Sequence, residues 1–264
     1  MAVFISASDE HSGSDGQGLF LFAGYVGPEA DWSHFLAPAW QERVLDGPPK
    51  IPYLHMTEIR SQQFRDKYGL SRWDADNIVE EAADVINAMG SLYPITVEMD
   101  GGHVKNTFAE SKVRRTQARQ FEAKPFEPDY LSFLAYAHSV LDYVHEKHPD
   151  AEKVNFIVEQ KGPITRYIKE FHSGLADALK AISRPELSPL VGALSVGDKK
   201  QIPCQAADFL CWHAARFENA QEVKPEDYTD ARRYLLKMRN RNGLWFDLNN
   251  DLVAEMAAKM FTAI

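Results

Sequence analysis

The chain has little cysteine: Cys204 and Cys211 are the only two in 264 residues. Read as members of one helix, they stand ~10 Å apart, beyond the reach of a disulfide. That excludes a disulfide-stapled scaffold, and with so few thiols there is no zinc ribbon or Cys-x-x-Cys redox centre either. Two reduced core thiols in a cytoplasmic protein are the expectation. Long apolar runs are absent too, so no membrane span is expected. The opening "MAVFISASDE" has no basic flank and meets Asp9 within a few residues, which argues against a secretory signal.

Several catalytic signatures are missing as well. There is no Walker-type or Rossmann glycine pattern, and "SGSDG" lacks the spacing of a nucleophile elbow. Nine histidines contain no His-Glu-x-x-His, and the closest pair, His145 and His148, reads as a solvated helix end. "DEHSGSDG" resembles a calcium loop only loosely, because His11 and Gly13 occupy positions that need oxygen ligands.

What is present is an ordinary globular composition, 45% hydrophobic and 25% charged, with a net charge of −9. An acidic total does not advertise a nucleic-acid binder. Two strips run the other way: residues 104–124, with Lys105, Lys112, Arg114, Arg115, Arg119 and Lys124 against two Glu, and residues 231–241, with five basic residues and no acid. Such strips could follow a phosphate backbone or simply be solvated faces.

Hydrophobic patterning outlines the fold. "AVFISAS" and "GLFLFAGYVG" flank a Gly/Ser-rich stretch and read as a β-hairpin. Residues 29–45 read as a helix interrupted at Pro38, and the proline-rich 47–59 as loop. Ile78, Val79, Ala82, Val85, Ile86 and Met89 make an amphipathic helix over 74–90, with Asp74 as its cap. Strands are expected at 92–101, 153–160 and 190–196, and helices at 129–146, 162–182 and 203–218, with further helix at 228–240 and 251–262. Residues 103–128 lack periodicity and read as a loop or insertion. Hairpin first, then strands alternating with helices, predicts a mixed α/β sheet flanked by helices. No linker separates two units, so 1–264 is read as one domain with a helical extension from about 219.

Three acids stand out. In the first strand Val3, Ile5, Ala7 and Asp9 share a face, and Glu10 points the other way. Glu159 ends its strand, at the edge where parallel sheets place ligands. In the 203–218 helix, Ala206, Ala207, Leu210, Ala214 and Phe217 gather on one side, and Gln205, Asp208, Phe209, Trp212 and Arg216 on the other. Asp208, beside Phe209 and Trp212, is therefore not on an obviously solvated face. Each acid also has a plain structural role open to it: a turn for Asp9, a helix N-terminus for Glu159, an ion pair with Arg216 for Asp208.

"DE-H-SG" followed by "LFLFAGYV", then "LHMTEI", "VNFIVEQ" and "GDKKQIPCQAADFL", resemble in their order a bacterial and phage family known as domain of unknown function 3800. The resemblance spans about 2–215 and implies a ribonuclease H-like fold. It matches Asp9 to a first-strand acid, Glu159 to a fourth-strand acid and Asp208 to an acid on the following helix. It also matches His55 and Glu58 to an auxiliary His-x-x-Glu element, and Gln205 to the residue that precedes the helix acid. His11 departs from the pattern by interrupting Asp-Glu-Ser-Gly, which implies a lengthened hairpin. Glu159 departs by standing where many members have Asp.

Three carboxylates meeting at strand ends repel one another and call for a divalent cation. Oxygen-only ligation suits Mg²⁺ or Mn²⁺, and two such ions could clamp the water and leaving oxygen of a phosphodiester. The expectation is thus a metal-dependent nuclease with Asp9, Glu159 and Asp208 as ligands. Glu10 and Asp100 stand in reserve, and Lys199, Arg114 and Arg115 face the phosphate backbone. Two alternatives remain open: a non-catalytic module binding nucleic acid or protein, and a hydrolase of small phosphate esters.

Overall fold

The computed structural model describes residues 2–12, 19–102, 128–160, 162–181, 183–218 and 244–247. The aperiodic 103–127 stretch, the tail helices expected at 228–240 and 251–262, and Arg114 and Arg115 lie outside the described residues.

Six strands form one mixed sheet in the order β5-β4-β1-β2-β3-β6. Strand β1 (Ala2–Ser12) pairs antiparallel with β2 (Leu19–Pro28), and β2 pairs antiparallel with β3 (Tyr93–Asp100). On the other side β1 runs parallel to β4 (Ala151–Glu159), and β4 parallel to β5 (Val191–Gly197). The sixth strand, β6 (Leu244–Asp247), pairs parallel with β3 and has no counterpart in the sequence reading.

Both faces of the sheet are covered, which explains why β2 is buried from Phe20 through Gly27 rather than on alternate residues. Period-2 geometry still sorts the side chains. Phe4, Phe20, Phe22 and Phe156 join the core built with α5 (Pro128–Lys147) and α6 (Gly162–Ala181). Ala7, Leu21, Ala23 and Tyr25 join the opposite core, built with α7 (Ile202–Glu218) and the N-terminal helices. In the first core Tyr136 of α5 reaches the strands: its hydroxyl lies 2.9 Å from Ser6 Oγ. Gly24 makes that approach possible, because a Cβ there would sit 1.9 Å from the Ala7 carbonyl oxygen and 2.6 Å from the Tyr136 hydroxyl.

The N-terminal helices form an outer layer. Helix α1 covers residues 29–45 without a break, its α-helical turns Glu29–Asp31 and Ala37–Trp40 alternating with π-turns Trp32–Leu36 and Gln41–Leu45. Pro38 does not interrupt it. It falls in the first turn of an α-helical stretch, where a missing N–H disturbs the ladder least. The proline-rich segment after it holds one short helix, α2 (Met56–Ile59), followed by α3 (Gln62–Tyr68). Helix α4 (Arg72–Ala88) carries the expected apolar stripe, but Ser71 caps it: its hydroxyl accepts the Asp74 amide while Asp74 accepts the Ser71 amide. Asp74 is thus the reciprocal partner of the cap.

Helix α7 lies between sheet and outer layer, and every residue from Cys204 to Ala215 is buried. Its two sides therefore differ in what covers them and not in contact with water, which is why Gln205 and Asp208 are buried polar residues. Among the described residues, no helix is long and apolar enough to cross a membrane.

Candidate functional site

The parallel pairing of β1 with β4 sets the site. Ser8 is register partner to Val158, so Asp9 and Glu159 are the next residues on adjacent strands, about 4.8 Å apart in backbone spacing. Ala7 and Ile157, two residues before them, pack into the core beneath α7. Period-2 geometry then aims Asp9 and Glu159 at that same face. Both are nearly dry, at 2% and 7% exposure. Glu10 is buried too, but in phase with Ser6 and Ser8, toward α5. Strand β1 continues through His11 to Ser12, where Ser12 is still paired with Phe20 of β2.

Helix α7 closes over the two strand ends. Its first turn rests on Gly197, the last residue of β5, where a Cβ would come within 2.6 Å of Cys204 Sγ. The Cys204 thiol is pushed up to about 12, first by burial and then by the negative charges of Glu159, Asp9 and Asp198. The two strand acids and the helix N-terminus therefore share one electrostatic neighbourhood. Asp208 lies one turn beyond Cys204 on the same stripe and is 6% exposed. Its Oδ2 accepts the Met56 amide at 2.6 Å, and its Oδ1 stands 3.9 Å from His55 Nε2.

The 51–61 segment is pinned against α7 by side chains. Gln205 Oε1 accepts two hydrogen bonds, from Trp40 Nε1 at 3.0 Å and from the Leu54 amide at 2.8 Å, while its Nε2 donates to the Lys200 carbonyl. His55 thus stands beside Asp208, and Glu58 follows it one turn along in α2. Glu58 accepts the Tyr53 hydroxyl at 2.5 Å and pairs with Lys199, whose ammonium also lies 4.7 Å over the Tyr53 ring. Burial alone would raise the Glu58 carboxyl, but the Lys199 and Tyr53 hydrogen bonds outweigh it and hold the carboxyl below its ordinary value. The Glu58 bond raises Lys199 in turn.

The sequence-predicted residues divide accordingly. Asp9, Glu159, Asp208, His55, Glu58, Gln205 and Lys199 all belong to the C-terminal ends of β1 and β4 and to the elements packed over them. Lys199 reaches the site already clasped by Glu58. Asp100 stands apart, exposed and four residues along β3 from Thr96, which lies in the row of Asp9 and Ala23. Tyr53, Trp40 and Cys204 are participants that sequence reasoning missed. The thiol was legible only as core, and the two aromatics are joined to their partners by the fold alone.

The donors fit a divalent cation in kind. They are carboxylate oxygens, two of them side by side at strand ends, as Mg²⁺ or Mn²⁺ prefers. They are not gathered into a ready cage: among the described residues, no three His, Cys, Asp or Glu side chains group closely enough to hold an ion. No protein-family model, curated protein or solved structure matches the chain.

Proposed function

We propose that this protein is a metal-dependent nuclease of ribonuclease H-like fold, related to the domain of unknown function 3800 family. The observation that carries this reading is the placement of Asp9 and Glu159 one residue beyond the Ser8–Val158 register pair of two adjacent parallel strands, both buried beneath the helix that bears Asp208. First strand, fourth strand and following helix are where the resemblance expects its three acids. His55 of the His-x-x-Glu element, 3.9 Å from Asp208, supports it further.

Asp9 and Glu159 would hold Mg²⁺ or Mn²⁺ between the strand ends, with Asp208 as the third ligand. Such a cation, when bound, supplies charge stabilisation to a phosphodiester and acidifies an attacking water. The chain's own residues do the rest. Burial of the acids keeps the field strong by excluding bulk water. The Met56 amide orients the Asp208 carboxylate through one oxygen, leaving the other turned toward His55. Gln205 fixes the helix against the 51–61 segment, so that the acid on α7 and the acids on the strands keep one relative position.

The test is a panel of end-labelled DNA and RNA with small phosphate esters, in Mn²⁺, beside Asp9→Asn. Cleavage that needs Mn²⁺ and is lost in the variant supports the assignment, and cleavage surviving the substitution rejects it. A second readout is thermal: Mn²⁺ should raise the melting temperature of the wild type and leave Asp208→Ala unmoved.

A further inference from the structure

Tyr53, Glu58 and Lys199 meet at the solvent side of the acids. Gly197 is the register partner of Glu159, so Lys199, two residues past the end of β5, stands beside the strand-end acids. Tyr53 and Glu58 belong to the segment that also brings His55 to within 3.9 Å of Asp208. Solvent reaches both charged partners, whose side chains are 39% exposed for Lys199 and 31% for Glu58.

Two donors converge on the Glu58 carboxylate, one for each oxygen. The Tyr53 hydroxyl donates to Oε2 at 2.5 Å, and the Lys199 ammonium donates to Oε1. The ammonium has a second support that does not involve Glu58: it lies 4.7 Å over the Tyr53 ring, where the π-face attracts a cation. Tyr53 is itself steadied edge-on against Phe64, with ring centroids 5.8 Å apart. An ammonium and a hydroxyl held around two acidic oxygens make a seat for an anion, and a phosphate presents a similar pair of oxygens. An ion pair this exposed is weak in water, so a phosphate can take the place of the carboxylate. The exchange leaves α2 where it is. The Met56–Asp208 bond holds its first residue, and Glu58 has only to turn its side chain outward. Around the seat the charges are acidic, since Glu159, Asp9 and Asp198 all bear on Cys204. A phosphate brought among them needs a cation to meet it.

We infer that Tyr53 and Lys199 form a seat for a substrate phosphate, which Glu58 fills as a placeholder until the phosphate displaces it. This rests on the nuclease reading and deepens it, by assigning the groups that receive the phosphate beside the acids. Glu58 acts through Lys199 and is a positioning residue.

The experiment measures binding apart from cleavage. The full chain carrying Asp9→Asn is titrated in Mg²⁺ with labelled DNA and RNA oligonucleotides by anisotropy, and with inorganic phosphate by calorimetry. The oligonucleotide titrations are repeated across a salt series from about 50 to 300 mM. Adding Glu58→Gln, which keeps an acceptor for the Tyr53 hydroxyl and removes the competing charge, should tighten binding several-fold. Adding Lys199→Ala should weaken it several-fold and lower the slope of log affinity against log salt by about 0.7–0.9 for an oligonucleotide. Lys199→Gln keeps most of the stem over Tyr53 and stands in if Lys199→Ala does not fold. With Lys199→Ala present, Glu58→Gln should bring no gain. That dependence separates a seat from general relief of negative charge, which acts with or without the lysine. Equal gains in both backgrounds, binding unmoved by either substitution, or failure of all three probes to bind overturns the inference. A response confined to oligonucleotides assigns the seat to a polymer's phosphate, and a response of inorganic phosphate as well extends it to free phosphate. Mn²⁺-dependent cleavage by the chain with Asp9 intact is scored separately. Intact cleavage beside an overturned seat leaves the nuclease reading standing, and absent cleavage beside a working seat removes that reading alone.

Discussion

Asp208 Oδ2 accepts the Met56 amide at 2.6 Å, joining the helix that follows β5 to a segment 152 residues earlier. The bond gives the carboxylate a structural duty as well as the catalytic one proposed for it, and two substitutions separate them. Asp208→Asn keeps an acceptor for Met56 and should stay within about 1 kcal/mol of wild-type stability. Asp208→Ala strands a buried amide and should cost about 1–3 kcal/mol. Urea titration reads both. Mn²⁺-dependent cleavage should vanish in each, and an Asn variant that still cleaves would confine Asp208 to the structural duty.

Gln205 is the stronger structural link. Its carbonyl oxygen takes the Trp40 indole N–H and the Leu54 amide together, inside the core. Gln205→Ala leaves two buried donors unmet and should destabilise the chain by about 2–4 kcal/mol. Trp40→Phe removes one donor along with its need and should cost less in the Gln205→Ala background than in the wild type. A double-mutant cycle in urea measures that coupling, and additive effects would mean that the Trp40–Gln205 bond does not hold α7 in solution.

How much of this was legible beforehand depended on the range of the interactions. Helices α4 and α6 each bury one stripe, and α5, though buried all round from Leu131 to Ala137, still carries an apolar stripe, so their 3.6-residue periodicity is written locally and their bounds fell within a few residues of the expectation. Asp9, Glu159 and Asp208 were legible as acids in apolar company. Helix α7 misled in part: it reads as two-sided, yet it is buried on both sides, because Gln205 and Asp208 satisfy polar needs inside. Strand β6 has only four residues and exists through its pairing with β3, which no local pattern announces. The Lys199–Glu58 pair joins positions 141 apart, so Lys199 reads from sequence as available for phosphate when Glu58 already holds it. His148, expected at a solvated helix end, packs 4.7 Å from the Phe4 ring for the same reason of distance.

Gly24→Ala tests the closeness of β1 and β2 to Tyr136. The added methyl would meet the Ala7 carbonyl oxygen at 1.9 Å, and backbone on a central strand pair cannot move aside cheaply. Loss of about 3 kcal/mol or more is expected, seen as a large drop in denaturation midpoint or as insoluble expression. A variant as stable as the wild type would show that the strands sit farther apart than this.

The Lys199–Glu58 pair has a pH signature that follows from its two shifts. Glu58 is held below its ordinary 4.5, so its contribution is complete above that value and is lost as pH falls through the lowered one. Lys199 is raised above its ordinary 10.5, so its contribution is complete below that value and is lost as pH rises through the raised one. The window of full strength therefore spans about pH 5–10. With the lysine side chain 39% exposed, screening keeps the pair to about 0–1 kcal/mol. Lys199→Ala should melt slightly below the wild type across that window, and the gap should close in acid as Glu58 takes up its proton. High salt should narrow the gap at neutral pH as well. A gap that persists undiminished in acid would assign the effect to the lysine's packing over Tyr53, 4.7 Å from its ring, instead of to its charge.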